Sequence, residues 1–127
     1  MRKSIAYVLC LSVVFMFLVS MSEAGDKVYL KKGELEKYNS LPSGKELYVM
    51  KKNGSYDDRA NDLEELCKDY LYYRNKILKY AKAGDNQGAA KARSSFNQVN
   101  STMSLEYTEK DIQQMFTLIE KSGYKAP

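Results

Sequence analysis

The sequence predicts an all-α fold: a small three-helix up-down-up bundle, preceded by a short basic arm or β-hairpin and following a cleaved signal peptide. Three observations carry this expectation. An apolar run near the N-terminus ends in small residues, a helical apolar period begins at Ser55, and turn-forming residues divide that period twice.

Arg2 and Lys3 form a positive n-region, Ile5 to Val19 is apolar apart from Ser12, and Ser22 and Ala24 place small residues at the minus-three and minus-one positions before Gly25. That order is the pattern of an export signal. A bilayer-spanning helix needs about 20 apolar residues, and this run is shorter and meets a cleavage site directly. The expected organisation is a signal peptide over 1–24, a basic arm or small hairpin over 25–54 and a three-helix domain over 55–127. Cleavage leaves Cys67 as the one cysteine of the mature chain, so no bridge can form within it. The expected state is a monomer, or a dimer through Cys67.

Residues 25–54 contain Val28-Tyr29-Leu30 and Glu46-Leu47-Tyr48-Val49-Met50, both β-prone, with Gly33, the Asn39 to Gly44 loop and Asn53-Gly54 as punctuation. The segment holds seven basic and four acidic side chains, whereas residues 55–127 hold eleven of each. The net positive charge of the mature chain therefore comes from its first third, which suits attraction to an anionic surface.

Leu63, Leu66, Cys67, Tyr70, Tyr73, Ile77, Leu78 and Ala81 recur at spacings of three and four. This predicts one helix over 58–82, capped by Asp57 or Asp58, with basic residues toward its C-terminal end matching the helix dipole. Gly84-Asp85 supplies a left-handed stop and the next cap. Ala89, Ala92, Phe96, Val99 and Met103 then form a narrow stripe for close packing. Thr108 with Asp111 reads as a capping box with Asp in place of Glu, ahead of Ile112, Met115, Phe116 and Ile119, and Ser122-Gly123 ends the third helix.

The chain contains no histidine, which excludes Ser-His and Cys-His nucleophiles and the usual zinc sites. Asp58, Asp62, Glu65 and Asp69 line one predicted helix face, a place for a hard cation or an acid-base pair, but the glycine-turned loop of a calcium site is lacking. Cys67 lies on the apolar stripe as a small hydrophobe beside Glu64, Glu65 and Asp69, which oppose thiolate formation. Asn53 and Asn100 open N-glycosylation sequons.

Ten tyrosines remain after cleavage, with no tryptophan. Tyrosine combines a large apolar body with a polar tip and is favoured in binding surfaces. The expectation is a secreted or periplasmic, non-catalytic module that binds a protein partner or an envelope component. It would use no metal or cofactor, bind no nucleic acid and have no stable membrane insertion after cleavage. Its candidate contacts are Tyr72, Tyr80, Lys51 and Lys52. Two alternatives are a secreted effector or toxin acting on another cell, and a small exported hydrolase relying on carboxylates such as Asp58 and Asp62.

Overall fold

The computed structural model describes residues 26–57 and 62–127. The export signal expected over 1–24 and the residue Asp58 lie outside the described residues.

Two short strands, β1 (Asp26–Leu30) and β2 (Lys45–Val49), pair in parallel with Val28 opposite Leu47, Tyr29 opposite Tyr48 and Leu30 opposite Val49. The hairpin expectation is corrected here. A tight turn reverses the chain, whereas parallel strands need a crossover of about a dozen residues or more. The crossover is the segment from Lys31 to Gly44, whose 3₁₀ turn (Glu34–Lys37) buries Leu35 completely. That turn is tied to the last helix at three points. The Gly33 N–H donates to both oxygens of the buried Asp111 carboxylate at 3.1 and 3.2 Å. The Gln114 amide donates to the Tyr38 carbonyl at 3.0 Å, and Lys110 pairs with Glu36 at 2.8 Å. Gly33 has φ +81°, a left-handed conformation that glycine adopts without a Cβ penalty. The Asn53-Gly54 signal does make a turn, closing a short antiparallel bridge between Met50 and Tyr56.

Side-chain alternation sends Val28, Leu30, Leu47 and Val49 inward to the core. On the other face Tyr29 stacks on Tyr48 with ring centroids 4.9 Å apart, and Tyr56 meets Tyr29 edge-on at 5.0 Å.

Three helices follow: α1 (Leu63–Lys82), α2 (Asn86–Glu106) and α3 (Glu109–Lys121). The first starts later than the period alone suggests, because its cap is Asp62, whose carboxylate accepts the Glu65 N–H at 2.8 Å. Asp57, one of the two expected caps, is engaged elsewhere. The turn at Gly84 and Asp85 forms as expected: Gly84 has φ +73° and Asp85 accepts the Gly88 N–H at 2.9 Å. Thr108 caps α3 by accepting the Asp111 N–H and donates its hydroxyl to the Asp111 carboxylate. Asp111 also turns to Gly33, so the cap doubles as the link to the crossover.

One core joins the sheet to the helices. Leu30, Leu35 and Val49 from the N-terminal segment meet Leu63, Leu66, Cys67, Met103, Tyr107, Met115, Leu118 and Ile119. The N-terminal segment is thus part of the core. Cys67 is fully buried with its sulfur 3.8 Å from that of Met103, and burial pushes its thiol pKa far up. A second chain could reach that sulfur only if the core opened. Among the described residues no helix is long and apolar enough to cross a membrane.

The helices are unequal. At 1.5 Å per residue α1 and α2 each run roughly 30 Å and α3 roughly 20 Å. The C-terminal segment meets α1 at Asn75, whose amide donates to the Ala126 carbonyl at 3.4 Å. From there to Lys82 the neighbour of α1 is the first half of α2, so the hairpin extends as a two-helix projection. Its thinner packing leaves Leu78 57% exposed and Ala81 exposed, although both fall on the apolar stripe.

Candidate functional site

The projecting end of the α1–α2 hairpin collects charge that the sequence count concealed. Residues 74–95 include Arg74, Lys76, Lys79, Lys82, Lys91 and Arg93 against Asp85 alone. Most of the acids that balance them sit toward the other end, on the first half of α1 (Asp62, Glu64, Glu65, Asp69), at the end of α2 (Glu106) and at the start of α3 (Glu109, Asp111), while Glu120 near the end of α3 shares a groove with Arg74. Asp85 is itself occupied as the α2 cap. The helical region is therefore electrically polar, with a basic distal pole.

Set into this pole is a groove of about 210 Å³ between α1 and α2, lined by Tyr72, Tyr73, Lys76, Tyr80, Gly88, Lys91, Ala92 and Ser95. Helical spacing places it: Tyr72, Tyr73, Lys76 and Tyr80 lie along adjoining rows of α1, facing Gly88, Lys91, Ala92 and Ser95 of α2. The Tyr72 and Tyr73 rings meet edge-on at 5.1 Å. The Lys76 ammonium lies 5.3 Å from the Tyr72 ring centroid, within cation–π range. Tyr80 rests directly against the α2 backbone, and a Cβ on Gly88 would stand 2.6 Å from Tyr80 Cδ1 and 2.7 Å from Asp85 Oδ2. Glycine within a helix loses about 0.5–1 kcal/mol relative to alanine. Here it creates the room for the ring.

Of the expected contacts, Tyr72 and Tyr80 line this groove, while Lys51 and Lys52 stand at the other end of the hairpin. Lys52 donates from its side chain to the Ser104 carbonyl at 2.7 Å and from its N–H to the Glu106 carbonyl at 2.6 Å. Lys51 lies 3.5 Å from the Glu106 carboxylate. Lys52 gives donors to the orphan carbonyls at the α2 C-terminus, and Lys51 adds positive charge there by pairing with the Glu106 carboxylate. Glu106 and Gly88 are roughly 27 Å apart along the helix, so the four residues do not form one surface. Sequence reasoning missed Lys76, Lys91 and Tyr73 as groove residues. A charge count over windows of about twenty residues would have found the pole.

Asp57 is buried and its carboxyl pKa is raised, chiefly by desolvation, with Tyr107 and the Val49 N–H pulling the other way. Raised carboxyls often mark catalytic acids. This one accepts the Val49 N–H at 2.8 Å and the buried Tyr107 hydroxyl, and its own N–H donates to the Val49 carbonyl at 3.2 Å. Its carboxylate clasps β2 to the end of α2. On the predicted acidic face, Asp62 is a helix cap and Glu65 is exposed. Partial burial raises the Asp69 carboxyl. Among the described residues no group of three or more acids or cysteines is placed to hold a metal ion.

A larger groove of about 550 Å³ lies between α1, α3 and the C-terminal segment, with Tyr70, Phe116 and Tyr124 on its walls and both Arg74 and Glu120 along it. Its opposite charges favour no single ligand sign. Asn53 spends its side-chain oxygen on the Ser55 N–H and hydroxyl, and Asn100 is exposed on α2.

No family model, curated protein or solved structure matches the chain. The groove and the basic pole are therefore read from their own chemistry.

Proposed function

We propose that this protein is an exported, non-catalytic interaction module that binds an envelope component or protein partner through the distal end of its α1–α2 hairpin. The observation that carries the reading is the groove lined by Tyr72, Tyr73 and Tyr80, which includes Lys76 and Lys91 and, among the described residues, no acid in its wall. Tyrosines give a binding face large contact area with little side-chain entropy to lose. A pole of one sign raises the rate of encounter with a partner of the other. A non-catalytic role is supported by the lack of histidine and by the structural engagement of Asp57. Export is supported by the order of Arg2, Lys3, the apolar run and Ala24-Gly25.

The test compares two charge-reversed variants of the mature chain on immobilised envelope material from the producing cell. Lys76→Glu with Lys91→Glu should abolish retention. Lys27→Glu with Lys45→Glu, on exposed strand residues away from the groove, should leave retention near the wild-type level. Equal retention of all three proteins would contradict the assignment.

A further inference from the structure

We infer that the groove takes an acidic sugar unit of an anionic polysaccharide, a uronate-type ring stacked on tyrosine with its carboxylate between Lys76 and Lys91. This rests on the proposal that the distal pole is the binding surface and names the chemistry of its partner.

Charge complementarity sets the sign of the ligand. Lys76 and Lys91 flank the groove from opposite helices, no carboxylate among the described residues lines it, and Asp85, beside Gly88, accepts the Gly88 N–H. Lys79 and Lys82 continue the positive track along the exposed last turn of α1, which suits a polymer longer than the groove. Charge alone would require only the lysines. The groove adds three tyrosines, and Tyr80 is seated so closely on α2 that a Cβ at position 88 would displace its ring. A pyranose has an apolar C–H face and a hydroxyl rim, complementary to the apolar body and polar tip of tyrosine. Ser95 and the tyrosine hydroxyls supply donors and acceptors for that rim. The volume of about 210 Å³ holds a unit of this size, and is small for a folded protein's docking loop.

The experiment measures binding of the mature chain to polygalacturonate, polyglutamate and dextran at low salt, then at rising salt. Polygalacturonate should bind, at least tenfold more tightly than polyglutamate, which has the charge without the rings. Dextran, which has rings without charge, should bind at least tenfold more weakly too. Lys76→Gln with Lys91→Gln should weaken polygalacturonate binding tenfold or more and flatten its salt dependence, with the circular dichroism spectrum unchanged. Tyr72→Ser, on the partly exposed edge of the groove, should weaken it several-fold without changing the salt dependence. Equal binding of polyglutamate, equal binding of dextran, or no binding of polygalacturonate each overturns the inference. If polygalacturonate fails while the glutamate variants still lose retention on envelope material, the sugar assignment falls and the binding surface stands. If the glutamate variants keep retention, the surface itself is wrong.

Discussion

Replacing Asp57 with alanine should be among the most damaging single changes in the chain, and its size follows from the partners it would abandon. The Val49 N–H, on a fully buried residue, would lose its side-chain acceptor, and the buried Tyr107 hydroxyl would lose the same carboxylate. A buried donor left unmade costs about 1–3 kcal/mol, so the two together amount to at most about 2–6 kcal/mol. A chain of this size has a total stability of about 5–15 kcal/mol. Part of the loss is offset near neutral pH, because removing the carboxylate also removes a buried negative charge. The direction of that offset is fixed by linkage. Desolvation raises the native Asp57 pKa above its ordinary value of 3.8. Between 3.8 and the raised native value the folded state therefore binds more protons than the unfolded chain, and the Asp57 contribution falls as pH rises. The Asp57→Ala penalty should accordingly be largest at the acid end of that window and shrink as pH rises through it. Urea unfolding followed by circular dichroism at several pH values measures both quantities. A penalty below about 0.5 kcal/mol, the scale of ordinary surface changes, would refute the clasp, and one that grows with pH would refute desolvation as the dominant influence on Asp57.

Three further outcomes are expected. Gly88→Ala should gain up to about 1 kcal/mol of helix propensity and lose part of an aspartate cap that such residues supply at about 0.5–2 kcal/mol. Its thermal midpoint should shift little while displacement of Tyr80 weakens partner binding several-fold, as a paired melt and titration would reveal. Lys51→Gln with Lys52→Gln should lower stability by about 0.3–1 kcal/mol through loss of charge at the α2 C-terminus and leave partner binding unchanged; a selective loss of binding in that variant would return these lysines to the contact surface. Intact-mass measurement of the exported protein should find Gly25 as its first residue, and a mass that retains residues 1–24 would contradict cleavage.

Local signals were legible where a few adjacent residues decide the geometry. Gly84-Asp85 formed its turn, Ala89 and Ala92 lie at the helix interface, and Thr108 caps the third helix. What depends on contacts distant in sequence was not legible. The strands pair in parallel because Leu35, Gly33 and Tyr38 fasten the crossover to α3, some eighty residues away. Asp57 resembled a helix cap by position and became a buried clasp because Tyr107 arrives from the end of α2. The candidate groove was partly legible: the tyrosine excess pointed to Tyr72 and Tyr80, which line it, but joining them to Lys51 and Lys52 required a spatial proximity that no spacing encodes. The basic pole was hidden because the acids near α1's start and α3's start cancel it in any long count.

The most direct test of the binding surface is to follow all mature tyrosine rings at once. With ring-labelled tyrosine and assigned NMR signals, solubilised envelope glycan or polygalacturonate is titrated into the mature chain. Tyr72, Tyr73 and Tyr80 should shift together and saturably, while the strand cluster of Tyr29, Tyr48 and Tyr56 and the groove pair Tyr70 and Tyr124 stay in place. Shifts concentrated on either of those other groups, with Tyr80 unmoved, would contradict it.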